Sequence, residues 1–263
     1  RTSGSVRKGA KKFSSDSAAA RFFAAALALC VWQAGAMALG NDLLLVTPIA
    51  VARRLCELIV TADFWAALGF TFSRISLGFL LALALAGILA ALSAAVPFIE
   101  TLLRPYVAAI QSVPVASFIV IAFLWLSARR LSTFIAFLMV FPVLYTNLLQ
   151  GIRAADRNLL EMADVFRLSP SRRVRCIFLP ALRSPLFAAC RVALGLCWKA
   201  GVAAEVIGVV ARSVGGKLYD AKAYLEIADL FAWTVVIVAV SALFERVFLF
   251  LLGKIFDALE HAV

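Results

Sequence analysis

Four long apolar segments without charged residues constrain the fold of this chain most strongly. They cover residues 22–40, 75–99, 105–128 and 131–152. Each has about the ~20 residues that a helix needs to cross the ~30 Å hydrocarbon core of a bilayer. The chain is 64% hydrophobic, against ~45–50% in a typical soluble domain. A soluble enzyme, a disordered protein and a disulfide-bonded secreted scaffold are therefore excluded.

Two further segments are mostly apolar but carry charges. Residues 185–211 contain Arg191, Lys199 and Glu205, and residues 230–253 contain Glu245 and Arg246. Such charges need a bundle interior, an aqueous path or the head-group region around them. We expect both segments to span the membrane. The sequence thus predicts an all-α integral membrane protein with about six transmembrane helices over residues 22–253, a basic tail over 1–21 and a short tail over 254–263.

The first span has an alternative interpretation. A basic leader, an apolar run and Ala34-Gly35-Ala36 also fit a cleaved signal peptide. The apolar run exceeds the ~7–15 residues usual in such a peptide. We therefore expect an uncleaved anchor.

The distribution of Lys and Arg predicts the orientation. If the spans alternate, sixteen basic residues lie on one side and eight on the other. Loops on the cytoplasmic side of a membrane are enriched in Lys and Arg. We therefore expect both termini and the loop over 153–184 in the cytoplasm, with the chain in the inner membrane of the cell. The Arg129-Arg130 pair falls on the wrong side.

The segment between the first two spans, residues 42–74, contains a helical pattern. Pro48 stands at a helix-starting position, and Val51, Leu55, Leu58 and Ile59 recur on one side. We expect a helix lying at the outer membrane interface. The alternative is a docking site for an external partner.

The cytoplasmic loop contains the sequence EMADVFRLSPSRRVRCIFLP from Glu161 to Pro180. Residues 161–166 favour a short helix, and Ser169 is a good N-cap before Pro170 at the first helical position. The pattern predicts two short helices joined by a tight corner. The second is expected to end before Pro180, with Val174, Ile177 and Phe178 packing inward.

This loop resembles the signature of the membrane permease subunits of ATP-binding-cassette importers. The signature is Glu-Ala-Ala, three residues, Gly, and about nine residues before Ile-x-Leu-Pro. Glu161-Met162-Ala163 and Ile177-Phe178-Leu179-Pro180 match it in spacing. The chain is further similar to the nitrate, sulfonate and taurine branch at Thr47-Pro48, Ser73-Arg74, Gly78-Phe79, Ser112-Val113-Pro114 and residues 194–208.

The resemblance implies a type I importer bundle that works as a homodimer with two ATPase subunits inside and a solute-binding protein outside. It implies that the loop couples to the ATPase and that the solute is a small anion such as a sulfonate, taurine or nitrate. The family's glycine is replaced by Arg167, where we expect ordinary backbone dihedrals. The coupling residues are expected to be Glu161, Ala163, Arg167, Leu168, Ser169, Pro170, Arg172 and Arg173.

The sequence contains no Gly-x-x-x-x-Gly-Lys-Ser/Thr motif for nucleotide phosphates. We therefore expect no cofactor on this chain, with ATP and magnesium bound by the partner ATPase. His261 is the only histidine, and the five cysteines form no CxxC pair, so neither a catalytic triad nor a metal cluster is expected. The net charge of +11 lies mainly in loops, which argues against nucleic acid as a partner.

The charges of the fifth span favour a translocation path. Arg191 and Lys199 are about 80° apart around a helix and share one broad face, whereas Lys199 and Glu205 are about 240° apart and cannot pair along it. A path lined by Arg191, Lys199 and Glu205 would suit an anion. The alternatives are that Arg191 extends to the membrane edge and that Lys199 pairs between helices. A passive channel or a structural membrane subunit without ATPase coupling is the alternative function.

Overall fold

The computed structural model describes residues 16–41 and 45–261, and the regular structure within these ranges is helical, without a strand. This confirms the all-α prediction. The helices are α1 (Asp16–Leu39), α2 (Pro48–Ile59), α3 (Ala62–Ala95), α4 (Pro97–Ser112), α5 (Val115–Phe123), α6 (Ala128–Arg153), α7 (Arg157–Val165), α8 (Pro170–Arg173), α9 (Leu179–Ile207), α10 (Val214–Ala223) and α11 (Ile227–His261), with a π-helical turn at Val174–Phe178.

The chain divides into two compact units, of which the smaller contains the residues up to Val60 together with Ala221–Ala232. Its helix α2 confirms the helix predicted between the first two spans. Thr47 caps this helix, since its Oγ1 accepts a hydrogen bond of 3.3 Å from the Ala50 amide. Val51 is buried, as the one-sided apolar pattern predicts.

Polar contacts hold the smaller unit together as well. The Arg54 guanidinium pairs with the Asp229 carboxylate. The Trp32 indole N–H donates to the Val46 carbonyl oxygen at 3.1 Å, and its ring lies 5.5 Å from that of Phe231. These contacts join the end of α1, the start of α2 and the first turn of α11.

The larger unit comprises Thr61–Asp220 and the chain from Trp233 onward. Helix α6 packs against both α3 and α9. At Gly78 an added Cβ would lie 2.5 Å from the Thr133 carbonyl oxygen, so the glycine permits the close crossing of α3 and α6. Buried aromatic and aliphatic side chains such as Phe79, Leu144 and Trp198 fill the core.

Four of the described helical runs are long and apolar enough to cross a membrane: Ala62–Ala95, Ala128–Arg153, Pro170–Ile207 and Ile227–Leu259. The pair α4 and α5 makes a fifth if it counts as one broken span. Helix α1 has a shorter apolar part, Phe23–Leu39. The sixth predicted span therefore depends on α1.

Several predicted boundaries differ from the structure, and two of the differences fall in the first half of the chain. Helix α3 begins at Ala62, so Arg74 lies inside the helix and does not mark its start. The predicted span over 105–128 is broken instead of continuous, because α4 and α5 meet at Val113–Pro114 with a bend of 102°. Pro114 has no amide hydrogen and disfavours a helical conformation at the residue before it, and Val113 is extended.

Candidate functional site

The predicted corner in the basic loop closes as a Schellman turn at the end of α7. The Leu168 amide donates to the Ala163 carbonyl oxygen at 2.9 Å, and the Arg167 amide donates to that of Asp164 at 3.1 Å. This pattern requires a left-handed residue after the helix, and Arg167 has φ +48°. The expectation of ordinary dihedrals at Arg167 was therefore wrong: glycine adopts this conformation freely, whereas arginine does so at a cost of about 1–2 kcal/mol.

Arg173 fixes the corner from the other side. Its Nε donates to the Leu168 carbonyl oxygen at 3.1 Å and its guanidinium approaches the Ala163 carbonyl oxygen at 3.4 Å. The same guanidinium forms an ion pair of 2.6 Å with Asp164. A cation at the C-terminal carbonyls of a helix is favourable. Arg173 thus ties the start of α8 to the end of α7.

The second helix of the loop begins as predicted and ends elsewhere. Ser169 is the N-cap residue and Pro170 takes the first helical position, although the Ser169 side chain caps no amide. The helix does not end before Pro180. The π-helical turn, in which the Leu179 amide bonds to the Val174 carbonyl oxygen, widens the helix just before the proline, and the run continues through α9.

A small apolar cluster holds the corner in place within the larger unit. Ala163 is fully buried, Ile177 and Ala155 are nearly so, and Leu168 and Phe178 pack against them. Val174, which we expected to pack with Ile177, is 56% exposed. The buried side therefore consists of Ala163 and Ile177, and the side chains on the opposite side are exposed.

The free side of the corner is apolar at its tip. Val165 is 79% exposed and Phe166 is 70% exposed, and Met162 lies next to them with half of its surface exposed. Polar members of the predicted coupling set, Glu161 and Arg172, are exposed as well. We call Met162, Val165, Phe166 and Val174 the corner surface. Exposed apolar groups on a loop fixed by hydrogen bonds are typical of a contact with another protein.

The structure does not bring together the three residues of the predicted path. The Arg191 guanidinium lies 3.6 Å from the Glu245 carboxylate at an exposed position. Lys199 is exposed beside the buried Trp198 and Ala200. No ion pair of Lys199 occurs among the described residues. Arg191 and Lys199 both face away from the packed core of the chain.

Glu205 is fully buried and holds the start of α10. Its Oε2 accepts hydrogen bonds from the Thr71 hydroxyl at 2.8 Å and from the Gly215 amide at 3.1 Å, and the Thr71 Oγ1 accepts from the Val214 amide at 2.9 Å. Ser213 accepts from the Gly216 amide at 2.9 Å. A carboxylate at a helix N-terminus is favourable. In this conformation Glu205 belongs to the packing of the chain and does not line an exposed path.

A cavity of about 510 Å³ with both polar and apolar lining lies between α4 and α6, and sequence analysis did not predict it. Gln111, Thr146 and Gln150 contribute amide and hydroxyl groups to its lining. Arg104 and Arg153 line it as well, and Arg153 pairs with Glu100. The polar lining residues are divided between α4 and α6, which are distant in sequence, so no local motif reveals the cavity.

Three features of the site escaped sequence analysis. The corner surface had a signal, because Val165 and Phe166 are apolar residues in an otherwise basic loop. The start of α10 also had one, since Ser213 precedes two glycines in the manner of an N-cap. The contacts of Arg173 had none, because its partners depend on how the corner folds.

Comparison with known proteins agrees with this architecture. The sequence profile of the family described as "binding-protein-dependent transport system inner membrane component" matches residues 83–259. The chain is 28% identical to the putative aliphatic sulfonates transport permease protein SsuC of Bacillus subtilis, over 83% of this chain and 79% of the relative.

Other relatives carry different solutes in their names. The riboflavin transport system permease protein RibX of Chloroflexus aurantiacus is 28% identical over 84% of this chain and 85% of its own length. The bicarbonate transport system permease protein CmpB of Synechococcus elongatus is 31% identical over 41% of this chain and 38% of its own length. Likeness to these proteins therefore does not define one solute.

Proposed function

The chain belongs to the family of binding-protein-dependent transport inner membrane components, and we propose that it couples solute import to an ATPase through the corner between α7 and α8. It is a multi-pass inner-membrane permease of an ATP-binding-cassette importer. The ATPase seat, the homodimer, the cytoplasmic position of both termini and the anionic solute are parts of the proposal.

The observation that carries the proposal is the combination of an apolar tip and a fixed backbone at one corner. The corner surface offers Val165 and Phe166 for burial against a partner. The two Schellman hydrogen bonds and the ion pair of Arg173 fix its position relative to the continuous run Pro170–Ile207. A rigid connection between a docking surface and a membrane helix can transmit the motion of a partner into the bundle.

A direct test is association with the ATPase. Phe166→Asp places a charge at the centre of the corner surface, and we expect it to abolish co-purification of the ATPase subunit and the stimulation of its activity by the permease. Trp125→Asp is the matched control, since Trp125 is 80% exposed in the turn before α6, away from the loop. If both variants lose the ATPase equally, or if neither variant loses it, the corner is not the binding site of the ATPase.

The native cysteines test the orientation. Cys176 lies in the loop and Cys56 on α2, and both are exposed. A membrane-impermeant maleimide should label Cys176 in inside-out vesicles and Cys56 in intact spheroplasts. Labelling of Cys176 from the external side would contradict the proposed topology and with it the coupling role.

Lys199 supports an anionic solute. Its side chain faces away from the core inside the candidate span Pro170–Ile207, about two turns before its end, where a charge is costly unless it meets water, a partner or a ligand. We expect Lys199→Met to lower uptake of an anionic solute at least ten-fold while leaving ATPase binding unchanged. Val192→Met, at an exposed apolar position of the same helix, is the control and should leave uptake unchanged. Unchanged uptake in Lys199→Met would exclude this lysine from the path.

The solute itself requires a screen. Uptake of an alkyl sulfonate, taurine, nitrate, bicarbonate and riboflavin by the complete transporter should favour one of the anions. Preference for riboflavin would contradict the proposed anion while leaving the permease assignment intact.

A further inference from the structure

The larger unit contains a second recess, which the proposed function does not use. A groove of about 700 Å³ runs along the outside of α3 and α6. Leu77, Leu81 and Leu85 of α3 form one wall, and Phe134 and Phe137 of α6 form the other. Both helices are candidate membrane spans.

Two arginines stand at one end of this groove. Arg74 precedes Leu77 by one helical turn, and Arg130 lies in the first turn of α6. In the described part of the chain neither guanidinium pairs with a carboxylate. The Arg74 guanidinium donates to the Arg129 carbonyl oxygen and lies over the Phe70 ring, but its buried Nε meets no acceptor among the described residues.

The dimensions match one leaflet of a bilayer. Arg74 and Leu85 are eleven residues apart, which corresponds to about 16 Å along a helix at ~1.5 Å per residue. Half of a hydrocarbon core of ~30 Å is about 15 Å. Because the apolar segment 75–99 starts directly after Arg74, the arginines lie at head-group depth and Leu85 lies close to the bilayer midplane.

We propose that this groove holds one anionic phospholipid, with its head-group phosphate between Arg74 and Arg130 and an acyl chain along Leu77, Leu81 and Leu85. Guanidinium groups bind phosphate through paired hydrogen bonds. The acyl chain of a bound lipid packs along these leucines and phenylalanines, in place of the disordered bulk lipid that would otherwise contact them.

The proposal also explains the arginines that oppose the distribution of basic residues. In the predicted topology Arg74, Arg129 and Arg130 lie at the external end of their helices. A bound lipid phosphate gives Arg74 and Arg130 an anionic partner at this end of the helices. The lipid site does not depend on ATPase coupling, because its lining lies wholly on α3, α6 and the turn before α6.

Native mass spectrometry of the full chain in detergent tests this site. We expect dioleoyl phosphatidylglycerol to bind at least about ten-fold more tightly than dioleoyl phosphatidylcholine, and dihexanoyl phosphatidylglycerol to bind more weakly because it lacks the long chain. Arg130→Gln should weaken phosphatidylglycerol about five-fold, the effect of one lost arginine contact. Arg129→Gln is the matched control, since Arg129 is adjacent and exposed but its side chain does not line the groove.

The outcomes separate the possible occupants. Equal binding of the two long-chain lipids, or equal effects of the two arginine variants, would overturn the proposal. If decanesulfonate displaces phosphatidylglycerol when its concentration is lower than that of the lipid, the groove is a site for a soluble anionic amphiphile instead. A dimer that excludes lipid from the groove would assign it to a second copy of the chain.

Discussion

The helical run Pro170–Ile207 lies between two corners that arrange their polar and apolar groups in opposite ways. At one end, the corner at Arg167 exposes its side chains and leaves an apolar tip in solvent. At the other end, the chain turns through Val209 and Arg212, both at positive φ, and buries the Glu205 carboxylate against the start of α10.

The difference between the corners separates docking from packing. Both contain non-glycine residues at positive φ, so backbone conformation alone does not distinguish them. At the first corner the polar bonds stay within the loop and the apolar groups face outward. At the second, Thr71 Oγ1, Glu205 Oε2 and Ser213 Oγ accept hydrogen bonds from amides of the same unit. The first therefore offers the exposed Val165 and Phe166 to a partner, whereas the second uses its polar groups in packing and leaves Ile207 and Val209 about half exposed.

The largest expected effect comes from closing the space at the second corner. In Gly215→Ala the new Cβ would lie 2.3 Å from the Glu205 Cβ and 2.8 Å from the Val206 amide nitrogen. Backbone has to move, so we expect a loss of about 3 kcal/mol or more in unfolding free energy. Thermal unfolding in detergent measures it. Gly195→Ala is the control, because no atom lies within 4 Å of its added Cβ; equal melting temperatures would contradict tight packing at Gly215.

Removing the buried carboxylate should have the next largest effect. Glu205→Ala leaves the Gly215 amide and the Thr71 hydroxyl without their acceptor, at a cost of about 1–3 kcal/mol. Glu205→Gln keeps an acceptor oxygen and should cost less. The melting temperatures should fall in the order wild type, Gln, Ala. If the Gln variant melts below the Ala variant, the hydrogen bonds are not what holds this corner.

Arg173, which ties the start of α8 to the end of α7 at the first corner, should affect local stability and not global stability. Arg173→Ala removes the bonds to Leu168 and Asp164, and we expect a loss of about 1 kcal/mol in local stability, as for an exposed ion pair with hydrogen bonds. Hydrogen exchange at the Arg167 and Leu168 amides should accelerate about five-fold. Arg172→Ala, one residue away, should leave exchange unchanged, and a similar acceleration there would deny Arg173 a specific role.

The smallest effect is a gain at Arg167. Arg167→Gly relieves a left-handed conformation that costs arginine about 1–2 kcal/mol, partly offset by the ~0.5–1 kcal/mol that glycine loses in entropy on folding. We expect a rise of at most about 1 kcal/mol in unfolding free energy with coupling retained. Arg167→Val, which is β-branched, should be less stable than wild type. A destabilised glycine variant would show that the Arg167 side chain makes a stabilising contact.

Much of the architecture follows from short-range patterns. Charge-free runs predicted the helices around α3 and α6, and the mostly apolar segment 185–211 predicted much of α9. Thr47-Pro48 and Ser169-Pro170 predicted the starts of α2 and α8. These signals are local, because a cap or a proline acts within one turn. The break at Val113–Pro114 and the passage of the helix through Pro180 show the limit: the same residue type ends one helix and is accommodated in the other by a π-helical turn.

The sequence by itself determined that this chain is a helical membrane protein and where its basic loop lies, since burial in lipid depends on composition over about twenty residues. Only the tertiary structure decided what the charged and special residues do. It placed Glu205 against α10, Arg173 across the corner and Lys199 on an exposed face. Each assignment depends on which elements meet in space, and those contacts join residues that no local spacing relates.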